Sequence, residues 1–118
     1  MNSLKTARAE ALFAELAAEF INRESAGQSL ITVTGAREDN NGHLMTILIT
    51  VLPQSREQAA LDFLSRKKRE FGAYVVKRAK LPFLPSTEFV LDLGEKNRQR
   101  LDELSYEEED KRRSGEAG

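Results

Sequence analysis

The stretch Ser55–Pro85, SREQAALDFLSRKKREFGAYVVKRAKLPFLP, decides how this chain folds. Ser55 followed three residues later by Gln58 has the spacing of a capping box, and Pro82 and Pro85 forbid helix at the far end. Between those stops Ala60, Leu61 and Leu64 begin an apolar stripe that Phe71 and Val75 resume at helical spacing. Lys67 and Lys68 fall in the same stripe. Unpaired ammonium groups are too costly to bury, so the pattern predicts a helix that bends, breaks or rotates its buried face between Arg66 and Glu70.

The break is basic. Arg66, Lys67, Lys68, Arg69, Lys77, Arg78 and Lys80 stand against Glu70 alone, in a chain whose net charge is −1. Charge is therefore sorted along the sequence, and a broken helix with a concentrated cationic face suits phosphate recognition.

Outward from this stretch, the chain reads as one small domain. Its 118 residues suffice for a single core. The near-zero net charge argues against a general nucleic-acid coat, so any such contact must be local and shape-dependent. Cysteine is absent, which removes disulfides, thiolate zinc sites and a cysteine nucleophile. Glu10, Glu15 and Glu19 interrupt each apolar run near the start, and no segment has the length to span a bilayer, so a soluble, cytoplasmic protein without a signal peptide is expected.

Toward the N-terminus, Ser3 is placed to cap a helix to about Arg23, with Ala9, Leu12, Phe13, Leu16 and Phe20 on its buried arc. The period then changes to alternation. Ile31 and Val33, then Met45, Ile47, Ile49 and Val51, mark one face of two strands, with Thr32, Thr34, Thr46 and Thr50 on the other. Glu38 to Gly42 supplies turn residues, which predicts an antiparallel hairpin of Leu30–Arg37 with His43–Leu52. Leu44, Leu48 and Leu52 on the second strand's other face point to a central position. Beyond the basic segment, Phe89, Leu91 and Leu93 alternate in a third strand over Thr87–Leu93, ended by Gly94. Leu101 and Leu104 anchor a short helix from Glu95 to about Ser105. The run Glu107–Asp110, followed by Lys111, Arg112 and Arg113, reads as a solvated, disordered tail, giving a domain over 1–105 and a tail over 106–118. Three strands and helices on one side predict a two-layer α+β domain whose Thr-bearing face is wet or held against a partner.

This order, α-β-β-α-(kink)-α-β with a short C-terminal helix, is that of type II KH-like domains. The segments Leu30–Thr34, Ile47–Leu52, Lys77–Leu81 with Pro85 beyond, Glu88–Asp92 and Arg100–Leu104 together resemble the bacterial ribosome-binding factor A family, collinearly over about residues 4 to 105. The resemblance implies a non-enzymatic factor without cofactors or a small-molecule substrate. It implies binding to the small ribosomal subunit and its 16S rRNA during assembly, help with maturation of the 5′ end of that rRNA, and support of growth in the cold. One departure stands out: the family's Ala-x-Gly kink is replaced here by Lys67-Lys68-Arg69, with Gly72 three residues further on.

The seven cations are the RNA-binding candidates. Tyr74 has the chemistry to stack on a base, although its spacing from Phe71 and Leu81 suits the core. His43, the only histidine, lies beside Asp39 with no nucleophile or oxyanion motif, so an exposed strand-start residue is expected rather than an acid–base catalyst. The second reading is a protein-interaction adaptor that uses the Thr-bearing sheet face or the charged tail and touches no RNA. A monomer is expected in either case.

Overall fold

The computed structural model describes residues 4–25, 27 and 29–95. Ser3, the helix expected beyond Glu95 and the charged tail lie outside them.

Helix α1 (Leu4–Glu24) turns Phe13, Leu16, Ala17, Phe20 and Ile21 inward, the arc that its i, i+3, i+4 pattern encodes. Strands β1 (Leu30–Asp39) and β2 (Leu44–Leu52) form the antiparallel hairpin, both extending slightly beyond or inside the expected ends. At the hairpin tip Asn40 and Asn41 have positive φ, and Gly42 follows at φ +87°. A Cβ on Gly42 would stand 2.8 Å from Glu38 Oε1, so both the backbone angle and the close approach require glycine there.

Alternation on β1 does not run through. The register shifts between Val33 and Gly35, a bulge that brings Ala36 opposite Ile47 on the core face. Strand β2 is central in the sheet order β1-β2-β3, as its two apolar faces require. Met45, Ile47, Ile49 and Val51 are buried. On the opposite face Thr32 and Thr34 are exposed, but Thr46 is buried, contrary to a uniformly wet surface. It stands in register between Arg37 and Glu88, where long side chains on both flanking strands shield a short one in the middle.

The decisive stretch begins differently from the capping-box expectation. Residues Gln54–Arg56 tighten into a 3-10 turn, with Arg56 N–H donating to Pro53 O at 2.9 Å, and α2 starts at Glu57 with no side-chain cap. The backbone turn supplies what Ser55 would have supplied, and Gln58 instead donates to Asp62 Oδ1, one turn on, at 2.9 Å.

Helix α2 (Glu57–Arg66) stops where the sequence demands a break, and α3 (Lys68–Arg78) starts afresh. Lys67 alone leaves helical geometry, at φ −97° and ψ 4°, and its N–H closes a short turn onto Leu64 O at 3.1 Å. Gly72 lies inside α3 and plays no part in the break. The interruption keeps Ala60 and Leu64 of α2 and Phe71 and Val75 of α3 in one core while lifting the intervening amines out of it.

Strand β3 (Ser86–Leu91) pairs parallel with β2, joined to it through the two helices. It ends before Leu93, which is 64% exposed, because Asp92 turns the chain: its Oδ1 accepts the Glu95 N–H at 3.0 Å. Phe13, Phe20, Phe71 and Phe89 meet in the layer between helices and sheet, with Phe71 against Phe20 at 5.4 Å and Phe89 at 5.6 Å. The result is the expected two-layer α+β domain.

Candidate nucleic-acid interface

The break in the helix sorts the seven cations into groups by what they touch. Lys67, at the joint, is held. Its Nζ lies 3.3 Å from Glu70 Oε2 and 3.9 Å from Glu24 Oε2 at the end of α1, above the Phe63 ring at 5.7 Å, and its side chain is only 27% exposed. Arg78 is held as well. Its guanidinium stacks 3.6 Å over the Tyr74 ring, while Tyr74 packs edge-on to Phe20 and donates its hydroxyl to Glu19 Oε2 at 3.2 Å. Tyr74 is thereby committed to the seam between α1 and α3, with a cation already on its face.

Lys68, Arg69 and Lys77 are different. Helical spacing puts them along one side of α3, where they rim a groove whose other wall is the start of β3. Val76 and Leu84 lie on its floor, 60% and 39% exposed. No carboxylate among the described residues lies within ion-pair distance of these three side chains. Gly72 lies against Leu84 across the groove, where a Cβ would stand 3.4 Å from Leu84 Cδ2, close to an ordinary van der Waals contact. Glu88 is the acidic member of the lining and belongs to the β3 wall.

Arg66 points elsewhere. It lines a separate cleft with Arg56 and Phe63 on the α1 and β1 side of the break. Lys80 is exposed on the connection from α3 to β3. The stretch therefore does not form one continuous patch, and the convergent set is Lys68, Arg69 and Lys77.

His43 sits exposed at the end of the hairpin turn, its ring edge-on to Phe83 at 5.1 Å. Sequence periodicity overlooked Phe83, Val76 and Leu84. The one signal for Phe83 was its place between Pro82 and Pro85, outside any periodic element. Among the described residues no helix is long and apolar enough to cross a membrane, and no group of three or more His, Asp or Glu is placed to hold a metal ion.

No family model and no curated protein matches the chain. Solved structures do. The crystal structure of ribosome-binding factor A from Thermus thermophilus superposes with a TM-score of 0.66 at 28% identity, covering 73% of this chain and 93% of that one. A homology model of the T. thermophilus factor, fitted into the cryo-EM map of a complex between the 30S subunit and the factor, gives 0.63 at 28% identity over 72% and 92%. The solution NMR structure of a Thermotoga maritima protein gives 0.62 at 20% identity over 76% and 90%, a likeness of fold. The shared fold, covering most of each solved chain, makes this protein similar in structure to ribosome-binding factor A and supports the resemblance read from its sequence.

Proposed function

We propose that this chain is a non-enzymatic assembly factor that binds the small ribosomal subunit and meets its 16S rRNA through the groove between α3 and β3. The observation that carries the reading is the trio Lys68, Arg69 and Lys77, which rims a groove without a carboxylate partner among the described residues. Support comes from the T. thermophilus relative fitted into a 30S complex. In this reading the trio neutralises backbone phosphates, and the shape of the folded rRNA with its proteins supplies selectivity. Arg66 and Lys80 add peripheral charge, and Lys67 and Arg78 hold the helices that present the groove. The protein acts as a monomer in the cytoplasm, assists maturation of the rRNA 5′ end, and supports growth in the cold.

Co-sedimentation with purified small subunits tests the proposal. The variant carrying Lys68→Glu, Arg69→Glu and Lys77→Glu is expected to lose about a hundredfold in affinity or more near physiological salt. Equal co-sedimentation of wild type and variant removes the groove from the mechanism. The adaptor reading draws on Leu30 and Leu52, 62% and 53% exposed on the open sheet face. Filter binding to deproteinised small-subunit rRNA separates the two, since the adaptor has no affinity that fades with salt.

A further inference from the structure

Of the six phenylalanines, Phe13, Phe20, Phe71 and Phe89 are buried and Phe63 is half-buried, but Phe83 is 53% exposed. Its surroundings hold it in place. Pro82 and Pro85 restrict the backbone on either side, and the Ser86 N–H donates to His43 O at 2.9 Å, tying the connection to the hairpin. The His43 ring then packs edge-on to Phe83, with an interplanar angle of 75°. In such a contact the edge of one ring meets the face of the other, so Phe83 keeps at least one face that His43 does not cover. The ring pair is thus fixed in advance and open to solvent.

Its position joins it to the groove. Pro85 lines both the groove and the neighbouring hollow that contains Phe83, and Leu44, next to His43, lines the groove floor. The other surface aromatics of the described chain are already occupied by cations: Arg78 covers Tyr74, and Lys67 lies over Phe63. An apolar groove floor with three cations on the α3 wall and Glu88 on the other suits a chain that carries phosphates on one side and flat apolar groups on the other.

We propose that the Phe83 ring, braced by His43, is a stacking platform for an unpaired base of a single-stranded RNA segment whose phosphates run along Lys68, Arg69 and Lys77. The inference rests on the ribosomal reading above and specifies its ligand. A duplex keeps its bases stacked inside and offers the platform nothing.

The test uses the full chain. Tryptophan is absent from the sequence, so Phe83→Trp gives a single fluorescent reporter at the platform. With oligoadenylate as the probe, its emission is expected to be quenched, and quenching should be absent when the same strand is paired with oligouridylate. Phe83→Ala is expected to weaken binding about tenfold without changing the salt slope, whereas Phe83→Trp keeps wild-type affinity. Unchanged melting of Phe83→Ala is expected, because the ring lies outside the core. Wild-type affinity in Phe83→Ala, or equal quenching by the duplex, overturns the platform. Loss of subunit binding in Phe83→Ala with no quenching by the single strand also overturns it, by making the ring's partner a protein, and leaves the ribosomal reading intact. Failure of the wild type to bind both subunits and oligoadenylate overturns both.

Discussion

Lys67 and Lys68 are neighbours of the same chemical type, yet they belong to different parts of the molecule's work. Lys67 sits between Glu24 and Glu70 with its side chain largely covered, and so fastens the end of α1 to the helix break. Lys68 lies one residue on, across the break, on the rim of the groove. Arg78 and Lys77 repeat the contrast at the other end of α3, one stacked on Tyr74 and one at the rim. A run of cations is thus divided by helical phase and by what the neighbouring helix offers. Those facing α1 meet its acids and the aromatic seam, and those facing β3 do not.

The division can be tested through its consequences for binding and for stability. The largest effect is expected from replacing Lys68, Arg69 and Lys77 together with alanine: the log–log salt slope of rRNA binding should shrink by about 2 to 3, at about 0.7 to 0.9 for each phosphate no longer neutralised. Urea unfolding of the same variant should move by less than about 0.5 kcal/mol, since exposed charges without partners contribute little to folding. Lys67→Ala should do the opposite. It is expected to lower stability by about 1 kcal/mol, because one half-buried amine serves two carboxylates and an aromatic ring, and to change subunit affinity by less than about threefold. A drop in affinity matching that of the triple variant would erase the distinction between held and free cations. The smallest effect is expected for Arg78→Ala, about 0.5 to 1 kcal/mol in unfolding through loss of the cation–π interaction. A double-mutant cycle of Arg78→Ala with Tyr74→Leu checks that this energy belongs to the pair.

Much of the fold was legible because local pattern and tertiary demand agree. Met45, Ile47, Ile49 and Val51 alternate and are buried together, and the Asn-Asn-Gly turn has the residues that left-handed backbone prefers. Lys67 and Lys68 in an apolar stripe pointed to a break, and it occurs at Lys67 without the family's Ala-x-Gly. The parts that escaped depend on contacts distant in sequence. Ser55 has the right neighbours for a cap, but the turn from Pro53 to Arg56 reaches the helix first. The bulge after Val33 has no signature beyond Gly35, since the register answers to β2. Whether each cation is free to bind depends on Glu19 and Glu24, which reach α3 only after α1 packs against it. Phe83 falls between prolines, outside any periodic element, and only the folded connection shows that it stays outside the core.

The parallel pairing of β2 with β3 sets Leu44 opposite Ser86, bringing together the first residues of two strands that both helices of the broken pair separate in sequence. The groove wall built on that pairing cannot exist on a ribosome-bound nascent chain until β3 has emerged, although α1 and the hairpin are by then complete. During vectorial synthesis the groove between α3 and β3 is therefore completed later than the helix and hairpin that support it.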